Sequence, residues 1–313
     1  MNEEHASPLP KIAIQAYDDA TAWLLQPVSS NAPAGPSPSS EEGSLAADYA
    51  RDAAERFPAR YLAASVDSDG NEIPFDKSEF DIEAERNTAF TALRTTRDLF
   101  VIATLAQAEA LCQNYGAYLF CVKAAVALWD QMPDDVWPQP VEDDITQREL
   151  ALSLFVDQQR VLLPLDRLPM HGQSGSSLFE VRKEIKAAEK AKTEIEAAVK
   201  QLKPRRAIEK LRETKALLLS LQSAISELSS QLAAESDSDF SDPFKTLKDR
   251  LGEMLEAIAA ADPVKDTGAS ERKRKQNADT VQSAPTETAA QDPEIEAVEV
   301  STRDEAKLVM AKV

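Results

Sequence analysis

Two pairs of neighbouring carboxylates, Asp134-Asp135 and Asp143-Asp144, flank the run Trp137-Pro138-Gln139-Pro140. Paired acids can share a proton as an acid/base dyad or gather oxygens around a divalent cation. Both chemistries need rigid placement at set separations, and this stretch lacks the Gly and Glu spacing of a calcium loop. The four acids therefore read as solvated groups flanking helices, with a hydrolytic dyad as the minor alternative. Other reactive types are sparse. The two histidines are His5, near the N-terminus, and His171, in a turn, so no histidine-activated nucleophile or metal site can be assembled from ordered elements. Cys112 and Cys121 stand nine positions apart in helical sequence without a second pair, which reads as two reduced core thiols. GxGxxG, P-loop, GxSxG and HExxH patterns are absent. No catalytic residue, cofactor or metal is expected.

The elements that carry these residues are helical by composition. The chain has 313 residues with only 8 Gly against 18 Pro, 43% apolar side chains and 6% aromatics, which disfavours a β-sandwich or a Gly-looped nucleotide-binding sheet. The net charge of −19 is uneven. Residues 1–172 hold 28 acidic and 12 basic side chains, a net of −16, whereas 173–313 hold 26 and 23, a net of −3. Such a surface repels nucleic acid and anionic membranes, and Arg272-Lys273-Arg274-Lys275 reads as a solvated linker cluster. The acidic start Met1-Asn2-Glu3-Glu4 has no secretory character. Leu99–Leu111 is too short to span a bilayer, so no membrane insertion and a cytoplasmic location are expected.

Lys11 to Leu25 spaces Ile12, Ala16, Ala20, Trp23 and Leu24 as one helical face, and Pro27 ends it. Ser29 to Gly43 is rich in Pro, Ser and Gly with nothing to bury and reads as a mobile loop. Ser44 is a candidate N-cap for a helix to Phe57, and Asp67 to Pro74 is turn chemistry. Leu99 to Leu111 is apolar nearly all round, the mark of a buried helix, and a turn at Asn114 and Gly116 joins it to a second apolar helix ending before Pro133. A third helix is expected from Ile145 to Leu163. Beyond residue 176 the period changes: Leu178, Val181, Ile185, Ile195 and Leu202, then Leu211, Leu218, Leu221, Ile225, Leu228 and Leu232, recur by threes and fours as a heptad seam. The two helices can pair within the chain or between chains. A further helix is expected from Pro243 to Ala260.

One series of short motifs carries more than packing. It comprises Arg97-Asp98-Leu99, Asn114-Tyr115-Gly116, Ala127-Leu128-Trp129, Asp134-Asp135-Val136-Trp137-Pro138, Glu142-Asp143-Asp144 with Arg148, and Leu163-Pro164-Leu165. In order and spacing it resembles the ImpA N-terminal domain of TssA proteins from bacterial type VI secretion systems. Leu24-Leu25-Gln26-Pro27-Val28 and Pro33-Ala34-Gly35 resemble that family's opening segment, although Pro36 to Ser40 replaces its usual acidic continuation and Phe100 stands where a polar residue is usual. The motif positions Asp98, Leu99, Gly116, Trp129, Trp137 and Pro138 are expected to pack rather than react.

The resulting reading is all-α: an acidic helical-bundle domain over 1–172, with the loop at 29–43; a coiled-coil-like hairpin plus third helix over 176–261; a flexible linker over 262–300; and a stub at 301–313 resembling the start of a C-terminal oligomerisation domain. The resemblance implies a non-enzymatic assembly component that is a homo-oligomer in its full-length form. Its implied partners are type VI baseplate, sheath and tube proteins. Val181, Ile185, Ile195, Leu218, Leu221 and Ile225 are the expected self-association seam. The competing reading is a cytoplasmic coiled-coil scaffold or regulatory adaptor unrelated to secretion.

Overall fold

Helix α3, Leu99–Leu111, organises the chain because its sequence, LFVIATLAQAEAL, has no polar face to offer water. Every residue but Phe100 is buried. Asp98 starts the helix, its carboxylate accepting from the Phe100 amide at 2.7 Å. The far end closes as a Schellman motif, with the Asn114 amide donating to the Glu109 carbonyl at 2.8 Å and the Gln113 amide to the Ala110 carbonyl at 2.9 Å. Gln113 takes the left-handed position at φ 59° that glycine usually fills. Its side-chain amide donates to the Pro164 and Arg167 carbonyls. Helix α4, Tyr115–Gln131, then returns along α3, giving the antiparallel pair that the apolar runs predict.

The other elements wrap this pair. They are α1 (Ser44–Arg56), β1 (Leu62–Val66), β2 (Glu72–Pro74), α2 (Ile82–Thr95), α5 (Thr146–Ser153), α6 (Leu163–Asp166), α7 (Arg205–Glu235) and α8 (Lys245–Ala261). The computed structural model describes residues 22–142, 144–170, 177–180, 182, 205–236 and 241–261. All belong to a unit that ends at Asp262; Pro263–Val313 form the other unit, outside the described residues. Residues 11–21 of the helix expected over Lys11–Leu25, most of the seam before Pro204, the linker and the stub also fall outside them. Among the described residues no helix is long and apolar enough to cross a membrane.

Helix α3 touches α1, α2, α5 and α6, while α4 receives α7, and α8 packs on α7. The 31 residues of α7 bury Leu211, Leu218, Leu221, Ala224, Ile225, Leu228 and Leu232, and α8 answers with Leu247, Leu251, Met254 and Ile258 at the same spacing. One apolar core therefore runs from Leu24 to Ile258. A charged knot supports α8: Asp166 at the end of α6 lies 3.2 Å from Arg250 and 3.6 Å from Arg182.

Three expectations change. The helical class holds, but residues 62–74 add an antiparallel hairpin around the Asp67–Asn71 turn, where Gly70 sits at φ 80°. A five-residue strand of sequence LAASV shows no alternating burial, so it carries no period-2 signal. The single helix expected from 145 to 163 breaks at Asp157. There the backbone is extended, and the Asp157 carboxylate accepts from the Gln159 and Arg160 amides to start a π-helical turn over Gln158–Leu162. Pro164 then opens α6 rather than ending a helix, since its missing amide costs nothing in a first turn. Finally, the segment 29–43 is anchored. Ala34 is buried, its carbonyl accepts from the Arg97 amide at 2.7 Å, and the Pro36 carbonyl accepts from the Thr96 hydroxyl at 3.1 Å.

Candidate functional site

The acid pairs do not converge on a reactive centre. Asp134 and Asp144 are exposed, Asp135 is partly so, and Asp143 lies outside the described residues. Asp144 caps the start of α5 by accepting from the Thr146 amide at 2.8 Å, and that hydrogen bonding lowers its pKa from the usual carboxylate value. Among the described residues no group of three or more His, Cys, Asp or Glu could hold a metal ion. His5 and His171 lie outside those residues. Both thiols are buried and free; burial pushes Cys112 up to about 11 and Cys121 well above the ordinary thiol value, so both stay protonated at neutral pH.

The structure gathers instead the motif residues that were expected to pack. Arg97, Asp98 and Leu99 lie beside Trp137 in a short parallel bridge: the Trp137 amide donates to the Arg97 carbonyl at 3.0 Å and the Leu99 amide to the Trp137 carbonyl at 2.8 Å. The Trp137 indole donates to the Gly35 carbonyl at 3.3 Å, and the Trp137–Pro138 peptide is cis. Gly35 must be glycine: it sits at φ 84°, and a Cβ there would strike the Thr95 carbonyl. Gly116, by contrast, has open space where a Cβ would go.

Two buried arginines tie these strands together. Arg97 donates to the Leu24 carbonyl at 2.7 Å, the Gln26 carbonyl at 3.0 Å and the Leu93 carbonyl, and its guanidinium stacks 4.7 Å from the Trp23 ring. Burial draws its pKa down to about 10, and burial likewise drives Asp98 up to about 7. Arg148, 1% exposed, donates to the Pro138 carbonyl at 2.8 Å and to the Pro133 carbonyl, and lies 5.1 Å over the Trp129 ring. Its remaining nitrogen meets Glu235 at 3.0 Å, while the Trp129 indole donates to the other oxygen of that carboxylate at 2.5 Å. Glu235 is the last residue of α7, so one carboxylate from 87 residues downstream joins α4, the Pro133–Pro138 turn and α5 to the long helix.

The expected seam residues divide. Val181, Ile185 and Ile195 lie outside the described residues; Leu218, Leu221 and Ile225 are fully buried within this chain, in the core shared by α4, α7 and α8. Glu235 was not legible in the sequence, because it follows two alanines at a helix end and belongs to no motif.

Set against known proteins, residues 25–157 match the family model described as ImpA, N-terminal, type VI secretion system. The span contains Asp98, Leu99, Gly116, Trp129, Trp137, Pro138 and Arg148, and stops well before Glu235. Among solved structures, the chain is similar to the N-terminal domain, including the ImpA_N region, of the TssA component of the type VI secretion system from Burkholderia cenocepacia. The identity is 19% and the TM-score 0.55, over 83% of this chain and 99% of that one, a likeness of fold. Comparison with curated proteins finds no match. As the motif series implied, residues 25–157 of this chain are similar to the ImpA N-terminal family of type VI secretion systems.

Proposed function

We propose that the chain is a non-enzymatic assembly component of a type VI secretion system, working in the cytoplasm to organise baseplate and sheath/tube assembly through protein contacts. The observation that carries this reading is the ImpA N-terminal match over residues 25–157. The chemistry of the site agrees with it: the buried arginines hold backbone carbonyls and one carboxylate, an arrangement that fixes geometry and leaves no group poised to attack a substrate. The excess of acids in residues 1–172 supports partners with basic patches, bound in a salt-sensitive way. Several copies acting together would add weak contacts through effective concentration.

A scaffold associating through the α7 heptads is less well supported, because Leu218, Leu221 and Ile225 already have partners inside the chain. Self-association of the full-length protein is therefore assigned to other parts of the sequence. The test is co-purification of the full chain with sheath, tube and baseplate proteins from its own system. The proposal expects capture at low salt that weakens steeply near 0.5 M salt, roughly where the Debye length falls below about 5 Å. No capture at low salt would overturn it.

A further inference from the structure

The hairpin β1–β2 is the part of the chain least used by its own fold. Four of the five residues of β1 and all three of β2 are exposed, with Val66 at 57% and Ile73 at 38%. Among the described residues the sheet has two strands, and the outer edge of β2 keeps the Glu72 amide and the Glu72 and Pro74 carbonyls without a ladder partner, since the Phe75 amide and the Asn71 carbonyl, and with them Ile73, face β1. The residues of β2, unlike those of β1, also line a cleft of about 1070 Å³. Leu111, Gln113, Arg167 and Phe179 also line it. Arg167 pairs with Glu72 of β2 at 2.5 Å and stacks 4.1 Å from the Phe179 ring. A free strand edge beside a partly apolar trench is the geometry by which an extended peptide adds to a sheet.

Charge selects the occupant. Residues 62–81 carry Asp67, Asp69, Glu72, Asp76, Glu79 and Asp81 against Lys77 alone, a net of −5 within twenty residues. A second copy of the hairpin would bring the same charge, and like charges facing across a ladder are destabilising. Nucleic acid and anionic lipid are repelled for the same reason. We propose that the outer edge of β2 and its cleft receive an extended, basic segment of a partner protein as a third strand. Backbone pairing would supply affinity, and the hairpin carboxylates that Arg167 does not engage would supply selectivity. The inference rests on the reading of this acidic domain as protein-contacting and names the surface that makes the contact.

The probe is a blocked nonapeptide of alternating Lys and Val, titrated against the full chain by fluorescence anisotropy at low salt, with hydrogen exchange read at the Glu72 amide. The same peptide with its central Val replaced by Pro keeps the charge but loses a ladder amide, and an alternating Glu/Val peptide reverses the charge. The Lys/Val peptide is expected to bind and to slow exchange at Glu72, whose amide faces the outer edge. The Pro peptide is expected to bind about tenfold more weakly, the worth of one to two hydrogen bonds, and the Glu/Val peptide not at all. Asp69→Lys with Glu79→Lys, both at exposed positions, should weaken binding several-fold while leaving the circular dichroism unchanged. Equal binding of the Lys/Val and Pro peptides would reduce the effect to bare charge and overturn the proposal. So would protection confined to other elements, or no binding by a folded chain. Failure here alongside intact co-purification removes this surface alone; loss of co-purification with peptide binding intact removes the secretion reading alone.

Discussion

Arg97 and Arg148 solve the same problem in different ways. Each is a buried guanidinium laid on a tryptophan face, Trp23 for the first and Trp129 for the second, and each donates to the carbonyls of a nearby irregular segment. Arg97 needs nothing more, because the carbonyls of Leu24, Gln26 and Leu93 surround it. Arg148 adds a carboxylate from the end of α7. The first arginine staples the opening segment to α2 through carbonyls alone, although Leu24 lies 73 residues away in sequence. The second is an ion-paired tie to α7, whose loss would leave a carboxylate without its cation.

The largest expected loss comes from cutting the ion-paired tie. Arg148→Ala removes the partner of Glu235 and leaves the Pro133, Val136 and Pro138 carbonyls short of a donor. The loss should be about 2–3 kcal/mol in urea unfolding, mainly from the buried carbonyls left without a donor, because Glu235 is itself partly exposed. Hydrogen exchange should accelerate in the last turns of α7, whereas Arg97→Ala should loosen residues 22–26 and spare α7.

Next comes Asp98, which sits beside the Arg97 staple. Its folded pKa of about 7 lies above the usual aspartate value near 3.9, so between pH 4 and 7 the folded state keeps a proton that the unfolded state has released. This residue's contribution to stability therefore falls as pH rises through that window and is flat above it. Asn caps a helix as well as Asp. Asp98→Asn should match the parent near pH 4 and exceed it at pH 8 by up to about 4 kcal/mol, because each pH unit between the unfolded and folded pKa values is worth about 1.36 kcal/mol. Parallel stability curves across that range would show that burial does not govern this carboxyl.

Glu235→Gln probes the tie more gently. The amide oxygen can still accept from Trp129, but the charge-assisted bond to Arg148 is lost, for about 1–2 kcal/mol. The smallest effect is at Gly116, and Gly35 serves as its contrast. Gly116→Ala, on a helix with open space at Cβ, should gain about 0.5–1 kcal/mol, while Gly35→Ala should lose stability through its positive φ and the clash with Thr95. Thermal melts of the two variants moving in the same direction would contradict the assignment.

The sequence made the helical frame legible where periodicity was strong. The buried pair α3 and α4, the heptads of α7 and the repeat in α8 follow directly from apolar spacing. It concealed features set by single side chains. Asp157 breaks a helix through its own carboxylate, and Gln113 occupies a left-handed turn without being glycine. The segment 29–43 looked free because its anchors are backbone carbonyls, which leave no trace in residue type. Within the site, Arg97, Asp98, Trp129, Trp137 and Arg148 could be read from their motif series. Glu235 could not, since only the meeting of α7 with the Pro133–Pro138 turn gives it a role.

Through that one carboxylate the motif residues and the long helix become a single structure. The decisive measurement is a double-mutant cycle with Arg148→Ala and Glu235→Gln, followed by urea unfolding of the full chain. The predicted result is a coupling of about 1.5 kcal/mol or more, outside the roughly 0.3–0.5 kcal/mol within which independent sites add. Additive losses would mean that α7 is held by its apolar face alone, and that Arg148 serves only its own turn.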